Sequence, residues 1–135
     1  MLLQEFEQQK KDIQIAVSEN IKSIAQISMD RNYIIVHPDF QTCDDLSKDF
    51  IITHLLFYKQ SGGSQMFCEA DELAFDYFMK KGVSLKDIYR VFMFLVNHCI
   101  TLSPSKSVIG ISNKRNENIL AKYDIESPLK LKANP

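Results

Sequence analysis

The stretch Ser84–Leu102, SLKDIYRVFMFLVNHCITL, constrains this chain more than any other. Ser84 can cap a helix start and Asp87 can return the bond, while Val83 and Ile88 stand at the positions of a hydrophobic staple. Beyond that start the segment turns apolar on every side. A helix with no polar face has no side to give to water, so it is expected at the centre of a core. Ser103-Pro104 ends it, because Pro has no amide donor to continue the ladder.

The segments around it read as helices that would cover such a rod. Residues 2–29 contain no Gly or Pro, and Phe6, Ile13, Val17, Ile21 and Ile24 recur at three- and four-residue steps. This pattern predicts an amphipathic helix longer than a small domain needs, which either breaks near Lys10–Asp12 or projects its spare length towards a partner. Tyr33-Ile34-Ile35-Val36 before His37-Pro38 predicts an extended connector over 33–41. Thr42 is a candidate cap for a second helix through Leu46, Phe50, Ile51, His54, Leu55 and Tyr58, which stops before Ser61-Gly62-Gly63. A third runs from about Gln65 to Lys81 on a stripe of Met66, Ala70, Leu73 and Tyr77, thickened by Phe67, Ala74 and Phe78. Gly82 is its expected C′ residue. Residues 106–111 fit either a short strand or a helix capped by Ser103, and 117–123 fit a helix turning Ile119, Leu120 and Tyr123 inward.

The expected architecture is all-α: a single-domain helical bundle over residues 1–126, with four main helices, the extended connector and a fifth C-terminal helical element. Residues 127–135 read as a flexible tail. A chain of 135 residues can bury one core of this kind without staples. The expected core is Ile21, Ile24, Phe50, Leu55, Leu73, Phe78, Ile88, Phe92, Leu95 and Ile100.

Charge excludes little. The net value is −1, divided into −4 over residues 1–105 (10 basic, 14 acidic) and +3 over 106–135 (6 basic, 3 acidic). So weak a positive field on the last segment reads as solvated surface. Cys43, Cys68 and Cys99 are odd in number and widely spaced, which fits a reducing compartment better than a disulfide framework. MLLQEFEQQKK has no secretory pattern, and the longest apolar run, Val91 to Val96, falls far short of the about 20 residues of a bilayer span. A cytoplasmic protein with no membrane partner is expected.

No motif announces chemistry. No Gly-rich phosphate loop, zinc spacing or nucleophile elbow occurs in the sequence, so no catalytic residue, metal or cofactor is expected. Glu69, Glu72 and Asp76 share one side of the third helix and read as a solvated face. His54 and His98, each on a helix rich in large apolar residues, are satisfied core histidines by default. They are also the candidates if the core holds haem or an apolar ligand. A helix-turn-helix reading would use Lys86, Arg90, Lys114 and Arg115 on DNA. It is opposed by Phe78, where a small residue usually stands, and by the apolar run after Arg90. The Gly82-Val83-Ser84 start followed by Ile88, Val91, Phe92 and Leu95 resembles the helical input domains of bacterial stress-response regulators, some of which have globin-like folds. The resemblance is confined to this stretch and assigns no functional residue.

The expected function is therefore a small non-enzymatic regulatory or protein-interaction module. It would pair, with a second copy as a homodimer or with another protein, through Phe6, Ile13 and Val17 on the long first helix. The alternatives are the ligand-binding sensor and the DNA-binding regulator.

Overall fold

The long first helix does not form. In the computed structural model, which describes residues 3–63, 67–123 and 125, helix α1 covers only Leu3–Asp12. The chain then runs extended through β1 (Gln14–Val17), β2 (Ala25–Ile27) and β3 (Tyr33–Val36). The physical reason lies in residues 13–17. Ile13, Ile15 and Val17 alternate with Gln14 and Ala16, a two-residue period as good as the helical one, and β-branched side chains favour the pleated surface.

The segment expected as a connector is the centre of this sheet. The strand order is β1-β3-β2, with β1 parallel and β2 antiparallel to β3. Ile34 pairs with Ile15 and Ile27, and Val36 pairs with Val17 and Ala25. Both central residues are buried, so the sheet has one dry face. The all-α expectation is corrected accordingly to a mostly helical chain with a small sheet. A short helix, α2 (Pro38–Gln41), follows with Pro at its first position, where a missing amide costs nothing.

Four long helices then pack together: α3 (Asp45–Gln60), α4 (Cys68–Lys80), α5 (Leu85–Leu102) and α6 (Lys106–Tyr123). Asp44 rather than Thr42 caps α3, its carboxylate accepting the Ser47 amide at 2.8 Å, while the Thr42 hydroxyl closes α2 on the Asp39 carbonyl. At the junction of α4 and α5, the Gly82 turn and the Ser84 cap are as the sequence predicts. Gly82 has φ +87°, and the amides of Gly82 and Val83 reach back to the carbonyls of Met79 and Phe78. Ser84 then accepts the Asp87 amide at 3.2 Å. The ambiguous residues 106–111 are helical, and the Ser105 hydroxyl, not Ser103, accepts the Val108 amide near the start of α6.

The rod beginning at Ser84 is not wrapped on all sides. Ile88, Tyr89, Val91, Phe92, Leu95 and Val96 are buried, but Phe94 is 38% exposed and Asn97 faces water. Helix α3 packs on α1, β2, α4 and α5, so it shares the centre of the core with the rod. Seven expected core residues are buried: Ile24, Phe50, Leu55, Phe78, Ile88, Phe92 and Leu95. Ile21 and Ile100 are half-buried, and Leu73 is exposed, because α4 turns Phe75 rather than Leu73 inward. Met66 and the expected start at Gln65 lie outside the described residues, as does the tail 127–135.

Candidate ligand-binding site

Three ionisable side chains meet inside the helical layer. Asp71 of α4, Arg115 of α6 and His54 of α3 are all buried. Arg115 grips the carboxylate with both prongs: Nε donates to Oδ2 at 2.8 Å and Nη2 to Oδ1 at 2.7 Å. This two-pronged geometry is the strong form of the pair. His54 Nε2 lies 3.0 Å from Asp71 Oδ1 and 3.3 Å from Arg115 Nη2. A bare nitrogen lone pair 3.0 Å from a carboxylate oxygen would be repelled, so Nε2 carries the hydrogen and donates to Asp71. Nδ1 is then an acceptor, and it is buried with no hydrogen-bond partner among the described residues.

The charges follow from the same contacts. Burial holds His54 below its ordinary pKa, outweighing the opposite pull of Asp71, so the ring is neutral. For Asp71, burial works to raise the pKa, but the charge and hydrogen bonds of Arg115 prevail and keep the carboxylate ionised. The cluster is one anion, one cation and one neutral ring.

Aromatic rings enclose it. The Arg115 guanidinium lies 4.9 Å from the Phe67 ring centroid and 5.7 Å from that of Phe92. Phe67 also stacks on Tyr58 at 4.4 Å and lies 5.6 Å from the His54 ring. It is held in the left-handed region at φ +61°, unusual for a residue with a side chain. Such a conformation costs on the order of 1 kcal/mol or more, and here the stacked rings hold it.

Beside this cluster opens a cavity of about 460 Å³, lined by residues of α3, α5, β2 and the segment leading to it, and the loop after α3. Ile24, Leu55, Tyr58 and Leu95 give it apolar walls, and His54 and Arg115 both reach its lining. Arg115 Nη1 makes no hydrogen bond among the described residues. The lining thus combines apolar surface with one cationic donor and one neutral ring. It sits within the size range of sites that enclose small molecules. It is poorly suited to thiol chemistry: burial pushes Cys43, Cys68 and Cys99 above the ordinary thiol value, the reverse of an activated nucleophile.

The residues singled out in the sequence are scattered by the fold. His54 belongs to the cluster. His98 lies apart from it, with Nε2 2.9 Å from Asp39 Oδ2, and does not line the cavity. Phe6 is a core residue stacked on Phe57 at 4.5 Å, Ile13 packs against the core, and Val17 is exposed on β1. The three no longer share one helix face. Lys86, Arg90 and Lys114 are exposed, with Arg90 3.5 Å from Asp44, but Arg115 is buried and cannot join them on a nucleic acid. Glu72 and Asp76 are half-buried rather than solvated: Glu72 binds Lys122 and Asn118, Asp76 accepts from Tyr123, and both tie α4 to α6.

Asp71 was missed, and a signal for it existed. It lies four residues before Phe75 and seven before Phe78, on the apolar arc of its helix. Arg115 likewise lies four residues before Ile119. Opposite charges on the inner arcs of two helices mark an internal pair.

Fold and site define a mostly helical domain with a small sheet and an apolar cavity beside an internal ion pair. No known family, no curated protein and no solved structure matches the chain. No helix among the described residues is long and apolar enough to cross a membrane.

Proposed function

We propose that the chain is a non-enzymatic binding module that takes a small, largely apolar molecule into the cavity beside His54, Asp71 and Arg115. The observation that carries this reading is the lining itself: apolar walls meeting a neutral histidine and Arg115, whose charge is balanced by Asp71 behind it. A ligand would bury hydrocarbon against Ile24, Leu55 and Leu95 and direct one polar group towards the cluster. The internal pair leaves little net charge to attract an ion, so a neutral molecule with one hydrogen-bonding group fits best. Haem fits less well, because His54 Nε2 is already engaged and His98 lies elsewhere.

N-phenyl-naphthylamine, apolar with a single N–H, is a suitable probe. Its fluorescence should saturate at one equivalent in the wild type. Cys99→Leu, which adds bulk to the lining, should weaken binding about tenfold, the effect of losing about 1.4 kcal/mol. Non-saturating fluorescence, or equal affinity in Cys99→Leu, would overturn the reading. A Soret band gained on haem addition and lost in His54→Ala would assign haem instead.

Self-association remains a second reading, now through the sheet. Ile15 and Val17 are 44% and 47% exposed on edge strand β1, in the same cross-strand rows as buried Ile34 and Val36. The dry face of the sheet therefore continues past its helical cover. A second copy paired along β1 would cover it. Light scattering should then show a dimer that Val17→Lys converts to a monomer, and a monomeric wild type would remove this reading.

A further inference from the structure

A second cluster of ionisable groups stands apart from the cavity, at the corner between β3 and α2. His37 caps α2, Asp39 follows one residue after Pro38, and His98 reaches the same point from α5. His98 Nε2 is 2.9 Å and His37 Nδ1 3.4 Å from the same carboxylate oxygen, Asp39 Oδ2. All three ligand atoms lie within 4.8 Å of one another. We propose that His37, Asp39 and His98 form a binding site for a divalent transition metal of the zinc type.

The donor set suits such an ion: two imidazole nitrogens and one carboxylate oxygen are the ligands of three-residue zinc sites that keep a fourth position open. Tetrahedral zinc with bonds of about 2.0–2.1 Å places its ligands roughly 3.4 Å apart. The separations from Asp39 Oδ2 are 2.9 Å to His98 and 3.4 Å to His37, so modest side-chain movement completes the site. The site is also preformed. Pro38 stiffens the corner between the first two ligands. The His98 side chain is 10% exposed, with its ring 5.7 Å from His37 and 5.7 Å from Phe94. Asp39 is 56% exposed at the side chain, which leaves the fourth position to water.

Binding exchanges known hydrogen bonds for metal bonds. His37 Nδ1 now accepts the Asp39 amide at 3.1 Å, and that lone pair would turn to the ion. His98 must present a bare Nε2, so the hydrogen it shares with Asp39 moves to Nδ1, which is buried without a partner among the described residues. The competing account is that Asp39 only accepts a hydrogen bond from His98 while His37 only caps α2, and it predicts no metal affinity.

Competition with a chromophoric chelator tests the site on the full chain. Zinc should bind at one equivalent. Asp39→Asn and His37→Ala should each weaken binding about tenfold or more. Cobalt(II) should give the visible bands of a four-coordinate nitrogen and oxygen site without a thiolate charge-transfer band. Zinc affinity unchanged in both variants, a thiolate band from nearby Cys43, or no competition at micromolar zinc would overturn the proposal. Circular dichroism of each variant confirms that lost affinity is not lost fold.

Discussion

Arg115 and Asp71 hold the sharpest energetic consequence in the chain. Removing one member of a buried pair strands the other charge away from water, which costs about 3–5 kcal/mol. Arg115→Met and Asp71→Asn should each destabilise by about that amount in urea unfolding. The double variant Asp71→Asn with Arg115→Met should cost much less than the sum, since it leaves no charge unpaired. Additive losses would show that the two side chains act separately. His54 makes the pH dependence legible. Its folded pKa lies below the ordinary 6.5, so the unfolded chain takes up a proton that the folded chain refuses. The stability it contributes is therefore complete above pH 6.5 and declines as pH falls below it. Wild-type unfolding free energy should drop more steeply between about pH 6.5 and 5 than that of His54→Asn, and parallel slopes would refute the assignment. At this scale the sequence was partly readable. His54 stood out as a core histidine, but its partners come from other helices, and residue spacing alone cannot pair Asp71 with Arg115 across 44 positions.

Among the elements, the α4–α5 junction was the most legible because its devices are local. Gly82 provides the left-handed turn, and nothing lies near a Cβ placed there, so Gly82→Ala should cost only the backbone strain, about 1 kcal/mol. Ser84→Ala should cost a similar amount through the lost cap to Asp87. Thermal unfolding of both variants checks the pair, and a neutral effect at either would contradict the capping account. Residues 13–29 were misread for the opposite reason. Their β-branched residues satisfy both periods, and what decides for strands is pairing with partners distant in sequence, Ile15 with Ile34 and Ala25 with Val36. Leu73 shows the same limit in a helix. Both Leu73 and Phe75 fit an apolar arc, and only the neighbours of α4 decide that Phe75 faces inward.

For the molecule as a whole, the helical class could be read from the sequence and the sheet could not. The apolar content of Ser84–Leu102 was correctly seen as core-forming, yet α3 shares the centre because the sheet and α1 pack on it. The cavity was not visible at all, since it arises where β2 meets α3 and α5, elements that no local pattern brings together. The account of function rests on that space admitting a ligand. The most direct test is an NMR measurement of contacts between N-phenyl-naphthylamine and the methyl groups of the labelled protein. Intermolecular contacts should appear to Ile24, Leu55 and Leu95. Contacts confined to Ile15 and Val17 on the sheet edge, or none at saturating probe, would contradict it.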